Sequence, residues 1–190
     1  MTLIIIILNV TGISYDTYNN GAQLISIFLT PATVCLAVPL YEKLKLLRDN
    51  LLAVMGGIIA GVAANLLTIW GVCVAFNLDE TIFATMAPKS ITTAIAMGIS
   101  EEIGGNPTVT VGIVVFTGIL GAIIVKTICK IFAITNPVSV GLACGNAAHA
   151  IGTTKALEIG EIEGAMSSLS IVIAGLLTVI IVPIMVTIFI

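Results

Sequence analysis

Residues 84–105 read ATMAPKSITTAIAMGISEEIGG. A lysine, Lys89, stands at the centre of an apolar run with Pro88 before it and Ser90, Thr92 and Thr93 after it. In a soluble protein that ammonium would point at water. The rest of the chain excludes a soluble protein: of its 190 residues, 58% are hydrophobic and 9% charged. A soluble domain is about 25% charged and roughly 45–50% apolar.

The few charges are clustered. None falls between Asp16 and Glu42, from Asn50 to Leu78, from Ile103 to Val125, or from Gly164 to Ile190. Each run exceeds the ~20 residues that carry a helix across a ~30 Å hydrocarbon core. The fold class is therefore an all-α integral membrane protein, a polytopic helical bundle. The short alternating segments of a membrane β-barrel are absent. A net charge of −3 gives no basis for a nucleic-acid partner. Cys35, Cys73, Cys129 and Cys144 lie in or beside apolar runs without C-x-x-C spacing. They read as small packing residues, with no metal site and no cofactor expected.

Apolar segments are expected at 1–13, 21–41, 51–76, 81–103, 107–125, 138–158 and 165–190. No linker separates them, so 1–190 reads as a single domain. The start, MTLIIIILNVTGISYD, lacks the basic region of a secretory signal. It reads as the latter half of a helix, with Tyr15 and Asp16 in an interfacial turn. Pro31 and Pro39 should bend the second segment. The Gly57/Gly61 and Gly141/Gly145 spacings allow close helix approach.

Orientation follows the basic residues. Lys43, Lys45 and Arg48 in 42–50, and Lys126 and Lys130 in 126–130, should face the cytoplasm of a multi-pass cell-membrane protein. Three segments separate these two loops, and three full crossings would put them on opposite sides. The parity is restored if 81–103 dips in and returns. Its arms, Ile82–Ala87 and Ile91–Glu102, would then reach about the midplane, with Pro88-Lys89-Ser90 at the tip. A broken but fully crossing helix would place the same residues at the same depth.

Residues 140–165, VGLACGNAAHAIGTTKALEIGEIEGA, repeat the pattern: small residues, a polar centre of Asn146, His149, Thr153, Thr154 and Lys155, then acidic residues. The Thr-Thr pair of 92–93 recurs at 153–154. Paired interrupted helices from inverted repeats hold substrate at the midplane of many secondary transporters. The echo fits that arrangement.

An ionisable group at bilayer depth costs at least ~2.5–3.5 kcal/mol and marks a pathway. Lys89 with Ser90, Thr92 and Thr93 suits a carboxylate or phosphate. Asn146 and the Thr153-Thr154-Lys155 cluster are further substrate-binding candidates, although Lys155 and Glu158 at i,i+3 also fit an ordinary surface pair. His149, the only histidine, and Glu158 are candidates for coupling to a proton or cation. A Ser90–Lys89 dyad or a Ser90–His149 hydrolase is disfavoured, because adjacent helical residues do not face each other and no nucleophile elbow is present. No enzyme is expected.

LTPATVCLAVPLYEKL (29–44), APKSITTAIAMGISEEIGG (87–105), FTGILGAIIV (116–125) and GNAAHAIGTTKALEIGEIEGAMSSLSIVIAGLLT (145–178) resemble the LrgB/CidB family. They are also similar to the carboxy-terminal half of the plastid glycolate/glycerate translocator. The resemblance implies two functions. Bacterial members are named antiholin-like proteins that act with a small LrgA/CidA membrane partner on murein hydrolase activity and autolysis. The plant relatives move glycolate and glycerate, and bacterial pairs are linked to pyruvate. A buried Lys89 favours transport of such a small organic anion, and assembly into a homo-oligomer is expected. Family members carry a further hydrophobic segment ahead of residue 1, which this chain is expected to lack.

Overall fold

The computed structural model describes residues 2–14, 17, 18, 20, 21, 41, 42 and 44–189. The expected bends at Pro31 and Pro39, Cys35, the Tyr15–Asp16 turn and Lys43 lie outside the described residues. The chain divides into two compact units, residues 1–38 and 39–190. In the first, α1 (Thr2–Thr11) ends at Gly12, whose φ of +67° is open to glycine at no steric cost.

In the second unit, every regular element among the described residues is helical: α2 (Leu44–Asp49), α3 (Leu51–Ala75), α4 (Glu80–Met86), α5 (Thr93–Glu102), α6 (Pro107–Ile131), α7 (Pro137–Ile159) and α8 (Glu161–Phe189). Among the described residues, Leu51–Ala75, Pro107–Ile131 and Glu161–Thr187 are long and apolar enough to cross a bilayer. Much of their surface is apolar and exposed, including Leu52, Leu67, Phe116, Ile123, Leu176 and Ile180. That is the surface lipid requires.

Helix α3 buries one stripe, Val54, Ile58, Val62, Leu66, Ile69 and Cys73, at the three- and four-residue steps of a helix face. It ends in a left-handed turn: Asn77 has φ +50° and Leu78 N–H donates to Cys73 O at 2.9 Å. Helix α6 ends the same way, with Ala133 at φ +53° and Ile134 N–H donating to Cys129 O at 2.8 Å. After each turn an Asx residue caps the next helix. Asp79 accepts from Ile82 N–H at 2.9 Å, and Asn136 accepts from Val138 N–H at 2.9 Å.

Beyond each cap the chain doubles back. Between α4 and α5 it is non-helical from Ala87 to Thr92, around Pro88. Thr110 Oγ1 on α6 then lies 3.0 Å from Thr85 O on α4 and 2.8 Å from Ser100 Oγ on α5. One hydroxyl touches both arms, and Asn106 N–H donates to Thr85 Oγ1 at 2.9 Å. A continuous helix at ~1.5 Å per residue would hold those arms more than 20 Å apart.

Helix α7 does the same at a single residue. His149 has φ +40° and ψ −132°, so the helix breaks there. Ser167 Oγ lies 2.7 Å from Thr153 Oγ1, while Ser170 Oγ, one turn further along α8, donates to Leu142 O at 3.3 Å. Thr153 and Leu142 would stand ~16 Å apart in a straight helix. The absence of a Cβ at Gly145 and Gly152 permits this packing. One would strike Ser167 O, and the other Cys144 O on the opposing arm. We call the segments 80–102 and 137–159 hairpin 1 and hairpin 2.

Candidate functional site

A cavity of about 650 Å³ lies between α3, α6 and the first arm of hairpin 2, with the tip of hairpin 1 at its edge. Helix α3 presents Ala53, Gly57, Gly61 and Asn65, four residues in steps of four. The first three are small and leave the space open, so Asn65 is the polar group this face offers. Helix α6 brings Phe116, Thr117, Leu120 and Gly121. Most of the wall is therefore apolar; its polar side chains are Lys89, Ser90, Asn65 and Asn146, with the hydroxyls of Thr117 and Ser139.

Lys89 Nζ donates to Asn65 Oδ1 at 2.6 Å and to Ser90 Oγ at 3.3 Å. Ser90 Oγ itself donates to Asn65 Oδ1 at 3.1 Å, and Asn65 Nδ2 donates to Ala87 O at 3.4 Å. Its partners among the described residues are neutral. Among the described residues no carboxylate pairs with it. On the opposite wall Asn146 Nδ2 donates to Ile58 O at 3.1 Å, and the amide packs tightly against Gly61.

The structure therefore brings Lys89, Ser90 and Asn146 onto one cavity. The other expected site residues lie off it. Thr92 and Thr93 are half-buried at the start of α5. His149 is 3% exposed, with Nε2 3.0 Å from Val114 O on α6. Thr153 is fully buried between His149 O and Ser167 Oγ. Thr154, Lys155 and Glu158 line a separate, shallower recess. There Thr154 is exposed and donates to Ala150 O, and Lys155 Nζ pairs with Glu158 Oε2 at 2.6 Å.

Sequence pattern alone does not single out Asn65. A signal is nevertheless present: an amide inside a charge-free run, one further step of four along the Gly57/Gly61 face. An ammonium with no carboxylate partner among the described residues, beside hydroxyls and two amides on a largely apolar wall, can bind a small anion with a polar substituent.

The LrgB-like family model matches residues 1–188. The chain is 37% identical over 186 residues to the antiholin-like protein LrgB of Bacillus subtilis (strain 168), covering 98% of this chain and 80% of that protein. It is also 37% identical over 187 residues to the proteins of the same name from Bacillus mycoides (strain KBAB4) and Bacillus cereus (strain B4264), covering 96% of this chain and 80% of each. No solved structure matches the chain.

Proposed function

This chain belongs to the LrgB-like family, and from that premise we propose that it carries small monocarboxylates, of the pyruvate, glycolate or glycerate class, across the cell membrane. The observation that carries this reading is Lys89 at a 650 Å³ cavity with only neutral partners among the described residues. A charge at that depth is costly. A visiting carboxylate compensates it, whereas a permanent acidic partner would leave the site nothing to bind. Ser90 and Asn146 supply hydrogen bonds for a 2-hydroxy or 2-oxo group.

The path of the chain supports the same reading. Helices α3 and α6 each have 25 residues, each ends in a left-handed turn after a phenylalanine, and each leads into an Asx-capped hairpin. Thr110 on α6 touches both arms of hairpin 1, and Ser167 on α8 contacts both arms of hairpin 2. We read these as two inverted repeats, each a crossing helix followed by a re-entrant hairpin, with the cavity between them. Hairpin 1 then enters from outside and hairpin 2 from the cytoplasm. Residues 42–50 and 126–130 share the cytoplasmic side, as the positive-inside rule asks. Access alternates as the hairpins move against the long helices. His149, at the tip of hairpin 2, is the candidate for a coupling proton. Glu158 is engaged by Lys155 and is not.

Counterflow of labelled pyruvate or glycolate in liposomes, with and without an LrgA-type partner, tests the carrier. Lys89→Ala should lower flux by about 100-fold, the scale of a lost buried charged contact. Unchanged flux in that variant would remove lysine from the mechanism. The name of the relatives supports a second reading, an antiholin-like regulator of murein hydrolase activity acting through an LrgA/CidA-type partner. Partner binding with no saturable flux in any condition selects it.

A further inference from the structure

We propose that Asn65 is a positioning residue for Lys89, a neutral clamp that fixes the ammonium at the cavity wall without cancelling its charge. Its consequence for binding rests on the carrier reading; its geometry does not.

Three bonds converge on this amide from the tip of hairpin 1. The oxygen accepts from Lys89 Nζ at 2.6 Å and from Ser90 Oγ at 3.1 Å, and the nitrogen donates to Ala87 O at 3.4 Å. The amide is matched at both ends, with oxygen facing two donors and nitrogen facing a carbonyl. That carbonyl belongs to the C-cap of α4, at the helix end where carbonyls lack partners within the helix. Pro88, the next residue, offers no N–H. Asn65 thus holds both the backbone of the tip and its charged side chain, from a helix distant in sequence.

An aspartate at this position would accept the same two donors. It would also place a carboxylate against Ala87 O and neutralise Lys89. A leucine would fill the space and leave the ammonium unheld. An alanine would release Lys89 and Ala87 O together. The amide is the side chain of that size that anchors the lysine and leaves its net charge available to an anion.

The test has two arms on the full chain in liposomes. In the first, labelling of Lys89 by a small amine-reactive reagent is followed by mass spectrometry, with Lys155 as internal reference. Asn65→Ala should raise the Lys89 rate about tenfold or more, the scale of losing a charge-assisted hydrogen bond. An unchanged rate overturns the clamp, whether or not the protein transports anything.

In the second, pyruvate counterflow is compared for wild type, Asn65→Asp and Lys89→Gln. Asn65→Asp should raise KM by about 100-fold, toward the loss caused by Lys89→Gln. Wild-type-like KM in Asn65→Asp overturns the inference. Absence of flux in wild type together with a raised labelling rate in Asn65→Ala would sink the carrier reading and leave the clamp standing.

Discussion

The two hairpins make the same reversal by different means. Hairpin 1 turns through the non-helical residues Ala87–Thr92 around a proline, and its tip delivers Lys89 and Ser90 to the cavity. Hairpin 2 turns at one residue, with helix on both sides. His149 adopts a positive φ that costs a non-glycine residue about 1–3 kcal/mol. The fold holds it there by burying the ring against Val114 O and packing the arms through glycines. The first turn is broken by its own proline and then clamped from α3 through Asn65, whereas the second has no breaker at the turn and is imposed by its neighbours. The first tip keeps its polar side chains at the cavity wall. The second buries its own against backbone.

The largest expected effect breaks the imposed hairpin. Gly145→Val would drive a side chain into Ser167 O and within 2.9 Å of Ser170 Cβ, both on α8. Backbone cannot yield as a flexible side chain can, so this variant should fail to yield folded protein on detergent size-exclusion chromatography. Hairpin 1 offers the control. Gly98 on α5 has no atom of a described residue within 4 Å of a Cβ, and Gly98→Ala should be neutral or raise the thermal midpoint, worth up to about 1 kcal/mol. Normal assembly of Gly145→Val would mean that α7 does not pack on α8 as described.

The next effect sharpens the comparison. Thr110→Val removes the hydroxyl joining both arms of hairpin 1, at a cost of about 1–3 kcal/mol for the buried groups left behind. Ser167→Ala does the same beside Thr153. In a cysteine-free background, a cysteine at Asn106 should label from the outside, and labelling should rise with Thr110→Val but not with Ser167→Ala. Outside labelling at Asn106 is what the re-entrant path requires. Labelling from the cytoplasm alone would make hairpin 1 a crossing helix and undo the inverted repeats.

The long helices are legible because lipid demands one thing of a sequence, an apolar run free of charge, and α3, α6 and α8 each show it. The break between α4 and α5 is legible from Pro88, a breaker visible in the chain itself. An interruption within 138–158 is expected from its likeness to 84–105, but its place at His149 is not legible. No proline or glycine stands at that residue, and VGLACGNAAHAIGTTKALEI is a plausible unbroken helix until α8 presses on both arms. Asn65 escapes for a related reason. Hydropathy registers an amide among leucines only weakly, and its meaning comes from a lysine 24 residues away that local pattern cannot bring near.

The two lysines carry the smallest prediction. Lys89 and Lys155 each stand near a Thr-Thr pair, and in the sequence only the spacing of Lys155 to Glu158 separates them. Lys155 sits on the second arm of hairpin 2, where Glu158 holds it one helical turn away, with the carboxylate largely in water. Exposed pairs of this kind contribute little, because both ions remain solvated when apart. Lys155→Met should therefore leave the thermal midpoint and the counterflow KM within experimental error of wild type, in a preparation where Lys89→Met loses transport. Equal losses in the two variants would mean that both hairpins present charge to the substrate. The contrast between a binding tip and a packing tip would then fail.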